Sequence, residues 1–196
     1  MKLVFIGLSI TSSWGNGHAT TYRSLIRELA SRGHDVLFLE RDVPWYRDNR
    51  DLPAPPYCRV GLYQSVAELK ASHGNEVATA DAVILGSYVP EAPNIADWIF
   101  KTAHGIKAFY DIDTPVTLAK LDKGECEYLR REHVAKFDLY LSFSGGAALE
   151  KLEKKLGSPN AVAFFCSVDP DHYFPEESGI RWDMGYIGTY AKDRQP

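Results

Sequence analysis

Residues 3–40 read LVFIGLSITSSWGNGHATTYRSLIRELASRGHDVLFLE, and this stretch decides the fold. LVFIGL (3–8) is an unbroken apolar, β-branched run, the mark of a strand covered on both faces. Tyr22, Leu25, Ile26 and Leu29 then recur at i, i+3, i+4 and i+7, one stripe of an amphipathic helix. Gly33 stands where a C′ glycine ends such a helix. DVLFLE (35–40) is a second buried strand. Strand, helix, strand is a βαβ unit, which predicts parallel strands joined by a right-handed crossover.

The alternation continues along the chain. Strands are expected at 58–63, 81–88, 106–113, 137–144 and 161–166, and helices at 65–73, 94–104, from about Pro115, and at 145–157. Residues 41–57, with Pro44, Pro53, Pro55 and Pro56, form an ordered excursion that Trp45 and Tyr46 help to pack. The whole predicts an α/β fold, a doubly wound and mostly parallel sheet of Rossmann-like type. We expect this domain to cover 1–166, a Pro- and acid-rich linker to follow at 167–182, and 183–196 to open a second domain that the chain does not complete.

With 196 residues the chain is long enough for one good core, and composition is that of a folded protein. The net charge of −4 offers no cationic field for a phosphate backbone, so nucleic acid is excluded as an expected partner. The apolar run at 2–10 is too short to span a membrane and lacks a cleavage site, so the expectation is a cytoplasmic protein with no transmembrane segment. Cys58, Cys126 and Cys166 are scattered and read as free thiols, with no metal-ligand spacing.

Ligands of doubly wound sheets bind outside the carboxyl ends of strands, at the point where strand order reverses. Each polar cluster here falls at a strand end. SSWGNGHATT (12–21) opens the first helix. Trp14, Gly15, Asn16 and Gly17 could approach a ligand there, and His18 could be a base or a hydrogen-bond donor. The loop matches neither GxGxxG nor GxxxxGK[ST]. YDIDTP (110–115) brings Asp111 and Asp113 to a strand end. They share a side if the strand continues, and Asp113 or Thr114 can cap the following helix. GSYVPEAP (86–93) offers Tyr88 and Glu91 to an acceptor pocket, and SFSGG (142–146) reads as a tight turn or an anion nest.

Taken together, WGNGHATTYR, RGHDVLFLE, YDIDTP, DLYLSFSGG and VDPDHYFP resemble the N-terminal domain of CgeB-like bacterial glycosyltransferases of the GT-B class, over essentially the whole chain. The resemblance implies a nucleotide-diphosphate sugar as co-substrate, no bound cofactor or metal, and a small-molecule, glycan or protein acceptor held on this side of a cleft. It implies His18 and then Asp113 as the base. Trp14, Gly15, Asn16, Gly17, Tyr88, Glu91 and Asp111 would hold substrate, and Gly188 and Thr189 would lie near the donor diphosphate. The rivals are a non-catalytic nucleotide- or sugar-binding module and an NAD-dependent enzyme whose ribose-binding acid would be Glu40.

Overall fold

The structure is a computed structural model, and it describes residues 1–179 and 182–185. Seven strands form one all-parallel sheet: β1 (Lys2–Gly7), β2 (Asp35–Arg41), β3 (Arg59–Tyr63), β4 (Ala82–Gly86), β5 (Ile106–Asp111), β6 (Leu139–Ser142) and β7 (Ala161–Ala163). Their order across the sheet is β3-β2-β1-β4-β5-β6-β7. The chain winds outward from β1 to β3, returns to the middle, and winds outward again from β4 to β7. Strand order therefore reverses between β1 and β4, which pair from Leu3–Ala82 to Ile6–Leu85.

The connecting helices are α1 (His18–Ser31), α2 (Pro44–Arg47), α3 (Val66–Thr79), α4 (Ala92–Thr102), α5 (Thr114–Lys123), α6 (Arg131–Val134) and α7 (Ala147–Lys154). Two cores flank the sheet. One joins Leu69 and Val77 of α3, Ile95 and Ile99 of α4, Leu118 of α5 and Leu152 of α7 to the strands. On the opposite face Tyr22 and Ile26 of α1 pack on Phe5, Phe38, Ile84 and Tyr110. The α/β architecture read from the sequence is the observed one.

Some local expectations change. The third helix runs on past His73 and Gly74 to Thr79 instead of stopping at His73. Ser65 starts it by accepting from the Glu68 amide, while the Glu68 carboxylate takes the Gln64 amide, a reciprocal cap that fixes its first turn. In the 41–57 excursion Tyr46 is buried but Trp45 is exposed, so only one of the two packs the loop. The short helices α2 and α6 carry too few residues for a periodic signal.

The strand ends at the reversal point are shaped by two aromatic side chains. A Cβ on Gly86 would stand 2.0 Å from the Tyr22 hydroxyl, and one on Gly7 would stand 2.3 Å from the Phe38 ring. Both glycines exist so that two rings can lie over the ends of β1 and β4. The Tyr22 hydroxyl is buried without a partner among the described residues. Gly86→Ala is therefore expected to cost about 1–3 kcal/mol by overpacking. Adding Tyr22→Phe should restore most of that loss, and Tyr22→Phe alone should be neutral or stabilising, because it removes an unsatisfied buried hydroxyl. Urea denaturation of the three variants checks this; additive losses in the double variant would refute it.

Candidate functional site

The β1–α1, β4–α4 and β5–α5 loops meet at the carboxyl rim of the sheet. Tyr88 lies just after β4, and its hydroxyl donates to Asp113 Oδ2 at 2.8 Å. The same ring stands edge-to-face with His18, with centroids 5.5 Å apart and planes at 84°. His18 at the start of α1, Tyr88 after β4 and Asp113 before α5 thus form one cluster. On the far side Tyr128 packs against Tyr88 at 4.4 Å, and Lys120 Nζ sits 5.8 Å and 5.6 Å from the two ring centres.

The β4–α4 loop holds this position under strain. Tyr88 (φ 64°) and Glu91 (φ 56°) are the non-glycine residues with positive φ among the described residues. Such conformations cost on the order of 1 kcal/mol each and persist only where surroundings fix them. Tyr88 is fixed by Asp113, His18 and Tyr128. Glu91 is fixed by an ion pair with Arg41 at the end of β2.

Asp113 sits at the N-cap of α5, and its backbone carbonyl accepts from the Val116 and Thr117 amides, both at 3.0 Å. Its side chain makes no cap bond, so the carboxylate is free to face the rim. Oδ2 takes the Tyr88 hydroxyl, and Oδ1 has no donor among the described residues. Thr114 is buried instead, donating to the Asp111 carbonyl.

Asp111 does not face the cleft. The strand stops at Asp111, so the alternation that would put it beside Asp113 is broken. It is completely buried, with Oδ1 accepting from Thr117 Oγ1 (2.9 Å) and the Asp113 amide (3.1 Å), and Oδ2 from the Tyr140 hydroxyl (2.6 Å). Thr117 in turn meets the Tyr128 hydroxyl at 2.8 Å. Burial pushes the Asp111 carboxyl up to about 6, against the pull of those donors. Asp111 is the foundation under Asp113 and Tyr128, not a substrate ligand.

The glycine loop divides similarly. Trp14 is 56% exposed and free to stack on a ligand. Gly15 adopts φ 63°, while a side chain at Gly15 or Gly17 would meet only open space, so neither serves a close approach within the protein. The Asn16 side chain is spent on its own loop: Nδ2 donates to the Ser12 and Trp14 carbonyls and Oδ1 accepts the Ala19 amide. That ties the loop to the first turn of α1, where the sequence suggested a substrate contact. The Gly17, His18 and Thr20 amides have no acceptor among the described residues, as the first turn of a helix requires. His18 itself is largely buried, with Nδ1 lacking a partner, and burial lowers its pKa to about 4. The imidazole is therefore neutral at pH 7. In SFSGG the Ser142 hydroxyl donates to the Ser144 carbonyl and accepts the Ser144 amide, making a tight turn.

Glu40 ends β2, where a dinucleotide fold would place its ribose-binding acid. Here it is fully buried. Oε2 accepts the Ile10 and Thr11 amides (2.7 and 3.0 Å) and Oε1 the Thr11 hydroxyl (2.6 Å). Gly188 and Thr189 lie outside the described residues. Sequence reasoning did not single out Tyr128, Lys120 or Arg41. Tyr128 falls in a stretch without periodicity, whereas Arg41 needed only the second strand to be read one residue further. Among the described residues no group of three or more His, Cys, Asp or Glu side chains could hold a metal ion, and no helix is long and apolar enough to cross a membrane.

A comparison with protein-family models finds no match for this chain, and neither does a comparison with curated proteins.

Proposed function

We propose that this domain is the acceptor-side half of a GT-B-type glycosyltransferase, which moves a sugar from a nucleotide-diphosphate sugar to an acceptor hydroxyl. The observation that carries the reading is the cluster of His18, Tyr88 and Asp113 at the point of strand reversal. Asp113 offers an unoccupied carboxylate oxygen, and the exposed indole of Trp14 in the β1–α1 loop suits the face of a sugar ring. We place Asp113 ahead of His18 as the base, reversing the order expected from the sequence. A buried imidazole with its pKa near 4 and no carboxylate on Nδ1 is a weak proton acceptor.

In this mechanism Asp113 Oδ1 takes the proton of the acceptor hydroxyl as its oxygen bonds to the anomeric carbon. The bond from that carbon to the diphosphate oxygen breaks, and the nucleotide diphosphate leaves. Neutral His18 accepts or donates a hydrogen bond to a sugar hydroxyl. Tyr88, its hydroxyl pushed up to about 12 by burial and by the Asp113 bond, stays protonated and holds the carboxylate in place. In a retaining reaction the same groups would position the acceptor and donor instead.

Two observations favour this over the NAD-dependent reading. Glu40 has given its carboxylate to the backbone of the β1–α1 loop. The β1–α1 loop also lacks the GxGxxG spacing that brings the backbone against a pyrophosphate.

Titrating the protein that joins this domain to a donor-binding domain with NAD and with a panel of nucleotide-diphosphate sugars, then assaying sugar transfer to simple acceptors, tests the proposal; this domain alone is expected to be inactive or nearly so. Transfer from one of the nucleotide sugars is expected. Tight NAD binding, or sugar binding without transfer, would overturn it.

A further inference from the structure

A groove of about 500 Å³ lies between α1, the excursion after β2 and the segment after β7. It shares no residue with the His18–Tyr88–Asp113 cluster. Its volume falls in the range of small-molecule sites.

Two features of its lining define what it would hold. The first is that both of its arginines are paired with carboxylates within the protein. Arg23 forms a two-pronged pair with Asp51 (2.9 and 2.8 Å) and also donates to the Ile10 carbonyl. Arg27 pairs with Asp169 and, at 3.0 Å, with Asp171, and meets His172 Nδ1 at 3.2 Å. Both guanidiniums are thus already held by carboxylates. The second is what remains unspent. The hydroxyls of Thr20, Tyr57 and Tyr173 and the Nε2 of His172 have no hydrogen-bond partner among the described residues. These are neutral groups that donate and accept, set beside two phenol rings. Burial pushes the Tyr57 hydroxyl up to about 12, which keeps it uncharged.

Hydroxyls and an imidazole nitrogen alongside two phenol rings match an uncharged polyol with an apolar ring face. We propose that this groove binds a neutral sugar unit of a glycan acceptor, at a distance from the reacting end. The inference deepens the transferase reading by naming the acceptor class, and it rests on that reading.

The two ideas are separable by experiment. Calorimetric titration of the protein with neutral tetrasaccharides (maltotetraose, cellotetraose, chitotetraose) and with a charged one (tetragalacturonate) needs no donor and no turnover. Binding of at least one neutral tetrasaccharide is expected, in preference to the charged one. Tyr57→Phe, which keeps the ring and loses one hydrogen bond, should weaken binding about fivefold. Tyr173→Ala, which removes an exposed ring and so spares the core, should weaken it about tenfold. Failure of every neutral tetrasaccharide to bind, tighter binding of the charged one, or indifference to both substitutions would overturn the groove assignment. Sugar transfer in the face of that failure would leave the transferase reading standing. Glycan binding in the groove with no transfer from any nucleotide sugar would do the reverse.

Discussion

Asp113→Asn is expected to slow sugar transfer by about a hundredfold to ten-thousandfold, the usual loss when a positioned base is removed. The substitution is nearly isosteric and leaves the fold alone, because Asp113 caps α5 through its backbone carbonyl and not its side chain. An asparagine oxygen can still accept the Tyr88 hydroxyl. What is lost is the ability to take a proton, so kcat should fall while KM for the acceptor changes little. His18→Ala should cost far less, about tenfold, since it removes one neutral hydrogen-bonding group. With the pKa of His18 lowered to about 4, its protonation lies below the working range. The transfer rate between pH 5.5 and 8 should therefore show no inflection that vanishes in His18→Ala. Steady-state kinetics of both variants across that range decide the matter. A larger loss in His18→Ala than in Asp113→Asn, or an inflection near pH 6.5 that depends on His18, would restore the histidine as the base.

The contrast between Asp111 and Asp113 shows what could be read from the sequence and what could not. The fold was legible because it rests on periodicity: unbroken apolar runs at 3–8 and 35–40 are strands, and the Tyr22–Leu29 stripe between them is a helix. Rim loops were legible for the same reason, since a parallel sheet puts every βα turn at one edge. Which way each polar side chain turns was not. Asp111 and Asp113 are two residues apart, yet the strand ends between them, and one carboxylate is sealed beneath the sheet while its neighbour faces out. Glu40 and Asn16 are polar groups beside a glycine loop, and both satisfy backbone groups that the loop's own path leaves orphaned. A sequence does not display backbone donors in need of acceptors, so structural polar groups and ligand-binding ones look alike. The groove beside α1 was invisible for another reason. Its lining comes from Thr20, Tyr57 and Tyr173, three segments brought together only by the return of the chain after β7, where Phe164 packs on Tyr110 and Arg27 holds Asp169.

Asp111 also gives the largest expected effect on stability. Asp111→Ala leaves the Asp113 amide and the Tyr140 hydroxyl without acceptors in a buried place, and loses one partner of Thr117. Two or three orphaned donors at roughly 1–3 kcal/mol each predict a loss of about 3–5 kcal/mol. Asp111→Asn behaves differently. Its oxygen keeps the Asp113 amide and Thr117, and the Tyr140 hydroxyl can rotate to accept from the new amide. Burial raises the wild-type carboxyl to about 6, above the ~3.9 of an unfolded aspartate. The native state thus binds this proton more tightly than the unfolded state, and the Asp111 contribution to stability falls as pH rises from about 4 to about 6. At neutral pH the wild type carries a buried charge at a cost of roughly 3 kcal/mol relative to the protonated form, from about two units at 1.36 kcal/mol each. Asparagine carries no such cost. The stability of Asp111→Asn relative to wild type should therefore improve by up to about 3 kcal/mol between pH 4 and pH 7. Every other carboxylate contributes to both proteins and drops out of the difference. Urea denaturation of the pair at the two pH values measures it. A difference independent of pH would mean that Asp111 is ionised throughout, with the Tyr140, Thr117 and Asp113 donors outweighing its burial.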